Sequence, residues 1–338
     1  MSRKENSRSM TDRTRTTSSN SFAESLRSTW AEAERAQPYR ERHSSGIPAE
    51  YRHLGPDPQM IPANLQRGIF ASMADVTLGR SFGDGGNLVR APGAEPAGKS
   101  TTLDRAVIGQ SRVAAVGANV LVLRDTRKAR AVGPTGNVVA EKSPAEFRTT
   151  EAARFETVDI DSEAAVTVSD LPTSTARFEW EDAVAKSYCV EVSRRRLREI
   201  GEAHFFDQLE VALTLGLARC ADSVLLSAIN AATPESFTLA RAATAGLKFD
   251  ELRGVAGTAG TGATIAADGT LRVAGLPGEL TGDMAGSLVG AWNRVAVAVR
   301  DDFDVIMQRT NVDGSMRITV WSHFLPLVPS VNTLWAVA

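Results

Sequence analysis

Four histidines, two cysteines and scattered acidic groups are the residues with which this chain could do chemistry, and their spacing limits what they can do. His43, His53, His204 and His323 stand far apart, and none has a companion at the spacing of a metal site or a catalytic triad. His204 opens a long apolar helix, which reads as a capping or surface position. His323 falls in a strand and reads as structural. Cys189 and Cys220 are isolated, with no C-x-x-C pair, which suits a reducing compartment and argues against a disulfide framework or a zinc site. No G-x-S-x-G, H-E-x-x-H or G-x-x-x-x-G-K-[ST] phrase occurs. Gly257–Gly262 (GTAGTG) invites a phosphate-loop reading, but no Lys-Ser/Thr follows and the strand before it is weak, so a tight flexible loop is the better reading. Asp301, Asp302 and Asp304 form an acidic trio; without further oxygen ligands at defined spacing they read as a solvated turn. The expectation is a protein with no catalytic, cofactor-binding or metal-binding residues: not an enzyme.

Basic residues cluster twice. Arg194, Arg195, Arg196 and Arg198 (RRRLR) read either as a solvated helix turn or intersubunit salt-bridge patch, or as a contact to a nucleic-acid polyanion. The first fifteen residues carry Arg3, Lys4, Arg8, Arg13 and Arg15 against Glu5 and Asp12. The whole chain sets 38 Lys and Arg against 40 Asp and Glu, a formal charge of -2, so it is not basic as a molecule.

The elements that must position these residues follow from pattern. The 338 residues suffice for one large or two modest domains with a real core. Residues 1 to about 20 have almost nothing to bury and should be disordered. Phe22, Leu26 and Trp30, at i, i+4 and i+8, predict a short amphipathic helix to about Gln37, with Pro38 helping to end it. His43 to Lys99, rich in Pro and Gly with only brief apolar runs, reads as an extended arm or linker. Order is expected from about Leu103, with Val113–Leu123 as a strand pair or a strand with a Gly break. Phe155–Ile160 and Ala164–Val168 read as short strands and Phe178–Val192 as a longer one, so that about 124–180 forms a long β-ribbon.

Phe205–Ile229 then predicts a helix of about 25 residues, about 38 Å long. It is apolar nearly all round and so buried on most of its surface or laid across a sheet. Asp207, Glu210, Arg219 and Asp222 argue against a membrane span. An Ala/Gly/Thr-rich stretch (231–275) should hold a short helix near Phe249–Val255, and Thr281–Leu288 another, with Thr281 as a possible N-cap. Strands close the chain: Ala296–Arg300, Asp304–Arg309, a turn at Asn311–Gly314, Met316–Phe324 and Thr333–Ala338.

The order of these elements, with the phrases ARFEWEDAVAKSYCVEVSRRRLREI (Ala176–Ile200) and FFDQLEVALTLGLARCADSVLLSAIN (Phe205–Asn230), resembles the major capsid proteins of tailed bacteriophages, whose Hong Kong 97-type fold encapsulins share. GNVVAEKSPAEF (Gly136–Phe147) resembles the family's exposed loop phrase. VAVRDDFDVIMQR (Val297–Arg309) and MRITVWSHFLPLVP (Met316–Pro329) resemble its closing strands. The likeness covers about residues 103–338.

The resemblance implies an α+β, Hong Kong 97-type capsid fold: a flexible N-terminal arm (1–102), an extended β-loop and peripheral domain with the long spine helix (103–230), a small axial domain (231–285), and closing strands of the peripheral domain (286–338). It further implies self-assembly through hexamers and pentamers into an icosahedral shell around phage or prophage double-stranded DNA, bound non-specifically. Portal and head-maturation proteins would be partners, with no membrane and no cofactor, and assembly would take place in the bacterial host cytoplasm. Arg194, Arg195, Arg196, Arg198 and Lys142 are then the candidate intersubunit or DNA-facing contacts. Some family members weld the loop to a neighbour through a Lys–Asn isopeptide bond. Lys142 is the lysine at the loop's tip, but no Asn partner can be assigned and no cross-link is expected. Two departures stand out: the segment between spine helix and closing strands is short, and the N-terminal third lacks a scaffold-like coiled-coil charge pattern. An encapsulin-like compartment shell, a remnant of a head protease–capsid fusion, and an α/β enzyme using the 257–262 loop remain as alternatives.

Overall fold

The computed structural model describes residues 21–35, 66–78, 101–123, 146–153, 155–157, 168–309 and 315–337. It is a mixed helix-and-sheet protein. Along the chain run α1 (Phe22–Arg35), β1 (Gln66–Ser72), α2 (Leu103–Gln110), α3 (Arg112–Ala115), β2 (Asn119–Leu123), β3 (Glu146–Thr150), β4 (Thr173–Arg177), β5 (Val184–Val192), α4 (Arg194–Ile200) and α5 (Glu202–Ala231). Then follow α6 (Leu239–Thr244), β6 (Arg253–Ala256), β7 (Ala263–Ile265), β8 (Leu271–Val273), β9 (Leu276–Leu280), β10 (Ser287–Gly290), β11 (Ala296–Arg300), β12 (Asp302–Arg309), β13 (Met316–Leu327) and β14 (Leu334–Val337). They gather into two compact units. One comprises the described parts of Met1–Leu103, Ser187–Ala212 and Asp302–Trp321, the other those of Asp104–Lys186, Leu213–Asp301 and Ser322–Ala338.

In the first unit, α1 starts on a capping box: the Glu24 N–H donates to Ser21 Oγ and the Ser21 N–H to Glu24 Oε2. Its predicted apolar stripe is buried, with Phe22, Leu26, Trp30 and Ala33 all at 2 % exposure or less. Trp30 meets the edge of Phe206 at 5.7 Å between centroids, and Phe22 meets Phe303 at 5.5 Å. β1 runs antiparallel to β12 from Gln66↔Gln308 to Ser72↔Asp302, and β12 runs antiparallel to the first half of β13. Within residues 1–102 the described segments thus include a helix with a buried apolar face and a strand paired in a sheet. The segment QRGIFAS is too short and too weakly alternating to announce a strand, yet it completes a sheet whose partner lies far along the chain.

In the second unit, β2 pairs in parallel with β11, and β11 runs antiparallel to the second half of β13. The β3–β4 hairpin pairs from Glu146↔Arg177 to Thr150↔Thr173. At its base Phe147, Ala176, Phe178 and Trp180 pack with Leu121 and Leu123 on buried Ala296, Ala298, Leu325 and Leu327. A second sheet has the order β14-β10-β6-β9-β8-β7. Its core is Leu252, Ala256, Val273, Leu276, Val289 and Trp335, with Ala242 of α6 against it. The chain entering β14 comes so close to Gly290 that a Cβ there would clash with the Thr333 carbonyl oxygen and Leu334.

Several local expectations give way to this packing. Val113–Leu123 is not a strand pair: Arg112–Ala115 is a helical turn capped by Ser111, and Gly117 at φ 103° turns the chain into β2. Thr281–Leu288 is not a helix but the bend between β9 and β10, where Thr281 Oγ1 accepts the Asp283 N–H. Phe249–Glu251 is a single 3-10 turn before β6. Phe178–Val192 is interrupted by a 3-10 turn at Trp180–Asp182. Leu334–Val337, expected among the closing strands, pairs with β10. Residues 155–157 and 168 lie outside strands, and the rest of the two strands expected there, like the turn at Asn311–Gly314, falls outside the described residues.

Candidate functional site

The arginine cluster sits on a short, capped helix. Ser193 caps α4, its Oγ accepting the Arg196 N–H at 3.3 Å, and buried Leu197 anchors the helix. Gly201, at φ 86°, ends α4 and separates it from α5; a left-handed backbone there favours glycine. Arg194 is half-buried, while Arg195, Arg196 and Arg198 are exposed. Arg195 Nε lies 2.9 Å from Glu199 Oε1, an exposed i,i+4 pair that contributes a few tenths of a kcal/mol at most. Arg196 and Arg198 form no ion pair among the described residues. Three arginines in a first turn oppose the positive end of the helix dipole. The dipole therefore gives these charges no stabilising role in the helix.

β5, which leads into this helix, pairs with β13. Arg317 Nη2 donates to Glu191 Oε2 at 3.3 Å and Thr319 Oγ1 to Cys189 Sγ at 3.6 Å. The strand's first six residues, Val184 to Cys189, are all exposed. Lys142, His43 and His53 lie outside the described residues.

The other sequence candidates are not brought together. In the 257–262 loop three consecutive amides are used internally: Thr258 N–H donates to Met284 O, Ala259 N–H to Ala285 O and Gly260 N–H to Gly257 O. A phosphate would have to displace these bonds. His204 lies in the first turn of α5 with Nε2 2.9 Å from Gln208 Nε2, and His323 is half-buried in β13. Asp301 is 4 % exposed, with its N–H bonded to Leu123 O, which corrects its reading as part of a solvated turn. Among the described residues no three His, Cys, Asp or Glu side chains gather as a metal site requires.

Two buried carboxylates on α5 escaped recognition as anchors. Glu210, 1 % exposed, accepts the Ala23 N–H at 2.9 Å and so holds the N-terminus of α1, where the helix dipole favours an anion. Asp222, 2 % exposed, accepts the Ser111 hydroxyl and the N–H groups of Arg112 and Val113, anchoring α3. Burial pushes the Asp222 carboxyl above the usual carboxylate range, and the bonds from Ser111, Arg112 and Val113 pull the other way. Burial likewise raises the Cys220 thiol. The sequence showed both acids in an apolar helix but not the amides they meet, which lie more than a hundred residues away. α5 is long and apolar enough to cross a membrane by length and composition, and 56% of its most apolar window is buried within the protein.

No protein-family model matches this chain, and no curated protein matches it. Among solved structures it is similar to the capsid of an empty GTA particle, with a TM-score of 0.42 at 11% identity, covering 68% of this chain and 89% of that one. It is similar to the satellite phage P4 procapsid including size determination protein, with a TM-score of 0.43 at 9% identity over 70% of this chain and 89% of that one. It is also similar to Mycobacterium phage Cain, with a TM-score of 0.38 at 14% identity over 68% and 90% of the two chains.

Proposed function

We propose that this chain is a shell-forming subunit, the major capsid protein of a tailed bacteriophage or prophage with a Hong Kong 97-type fold, structural rather than catalytic. The observation that carries the reading is the order of elements: a β-hairpin excursion returns through β5 to an arginine-rich turn of helix, then a 30-residue helix of about 45 Å, a separate six-stranded sheet, and strands that close back on the first elements. Exposed apolar side chains support it. Leu171, Leu239, Phe249, Ile265 and Leu280 are each more than 60 % exposed in the isolated subunit, as surfaces awaiting other copies would be.

In this reading many copies associate as hexamers and pentamers through heterologous interfaces that close by rotation. The shell encloses double-stranded DNA and assembles in the bacterial cytoplasm, where portal and head-maturation proteins act on it. Arg194, Arg195, Arg196, Arg198 and Lys142 are its candidate contacts to neighbours or DNA.

Expression of the full chain followed by negative-stain microscopy and sedimentation tests the proposal. Closed particles of uniform size are expected. Monomers or small oligomers under every assembly condition would overturn it, and nuclease-protected DNA inside particles separates a phage shell from an encapsulin-like one.

A further inference from the structure

We propose that β5 is a self-pairing edge, through which two copies of this chain meet with their β5 strands antiparallel. The proposal takes its setting from the shell reading but stands on the strand itself. Among the described strands β5 pairs only with β13, so its other edge has no partner there. Six consecutive residues, Val184 to Cys189, are exposed, which leaves both faces of the strand wet. Val184 and Tyr188, on one face, are 39% and 47% exposed. A long exposed edge is a template for pairing that soluble proteins usually blunt with proline, a bulge or charge. Lys186 is the one charge within this stretch.

The flanks say which partner fits. Immediately before the strand, Glu179, Glu181 and Asp182 are exposed and form no ion pair among the described residues. Immediately after it come Arg195, Arg196 and Arg198, also exposed. Nine extended residues span roughly 30 Å, so the acidic and basic groups stand at opposite ends of one strand. A strand negative at its start and positive at its end is complementary to itself only when antiparallel; a parallel copy would set like charge on like. The result is a closed two-fold contact in which each acidic turn faces the partner's arginines. DNA fits less well: it would meet the arginines, be repelled by the acidic turn, and gain nothing from Val184 and Tyr188.

Four full-length proteins test this: the wild type, the triple variant E179K/E181K/D182K, the triple variant R195E/R196E/R198E, and the sextuple variant carrying both sets. Self-association is read by sedimentation and particle formation by microscopy. Each triple variant should lose roughly a hundredfold in association, the sum of several exposed charge pairs turned repulsive. The sextuple variant, and an equimolar mixture of the two triple variants, should both recover. Triple variants that associate like the wild type overturn the proposal. So does a sextuple variant as weak as the arginine triple, the pattern expected if the arginines serve DNA. Shells that form equally well from all four proteins refute the pairing and leave the shell reading intact. Charge-swap rescue of dimers without any shell does the reverse.

Discussion

Replacing Trp30 by alanine tests whether the first third of the chain is structure or tether. Trp30 is 2% exposed and meets Phe206 edge-on at 5.7 Å and Phe205 at 6.5 Å. Truncating a tryptophan buried to this degree costs about 3–5 kcal/mol, of which the aromatic contacts supply about 1 kcal/mol. At about 2 °C per kcal/mol for a chain of this size, the midpoint of thermal unfolding should fall by roughly 6–10 °C. The assay is circular dichroism of unassembled subunits, with urea titration beside it. Leu239→Ala is the control, because that side chain is 64% exposed and should cost less than about 0.5 kcal/mol. A Trp30→Ala protein within about 0.5 kcal/mol of wild type would refute the docking of α1, since a helix carried on a loose arm loses nothing when its apolar face is cut away.

Asp222→Ala should destabilise the protein at every pH by leaving the Arg112 and Val113 amides and the Ser111 hydroxyl without their acceptor, at about 2–4 kcal/mol. Because burial raises the folded-state pKa of Asp222, its ionisation favours the unfolded chain. Its stability contribution is full below the ordinary carboxylate pKa and is lost as pH rises through the folded value. The gap between wild type and variant in urea titrations should therefore narrow from pH 4 to pH 7, and a gap that widens would contradict the assignment. Gly290→Ala should set a methyl group against the Thr333 carbonyl and Leu334, cost about 2 kcal/mol or more, and speed hydrogen exchange in Leu334–Val337.

What the sequence made legible was the periodic and the local. The α1 stripe at Phe22, Leu26 and Trp30, the long apolar helix and most closing strands follow from side-chain spacing, and spacing survives folding. β1 was missed because seven residues with Gly68 in them carry no clear alternation; their strand character comes from β12, more than two hundred residues later. The 281–288 helix failed because Thr281, a good cap by type, folds back on Asp283 while β9 and β10 claim the flanking residues. Of the candidate contacts, the arginines stood out by composition alone. The acidic turn at Glu179–Asp182 did not, because its meaning depends on lying at the other end of an exposed strand.

The bond between Glu210 and the Ala23 amide spans 187 positions of sequence. At about 5–20 residues per second the ribosome adds that length in roughly 10–40 s. Throughout that interval α1 has been made but has nowhere to dock, and Phe22, Leu26 and Trp30 face solvent. A truncated chain ending before α5 never acquires the dock at all. The completed first unit is thus a certificate of synthesis at least through β12, issued only when that late strand arrives to cover the earliest helix. In the shell proposed above, such timing would leave unfinished subunits, which lack the finished surface, outside the assembly.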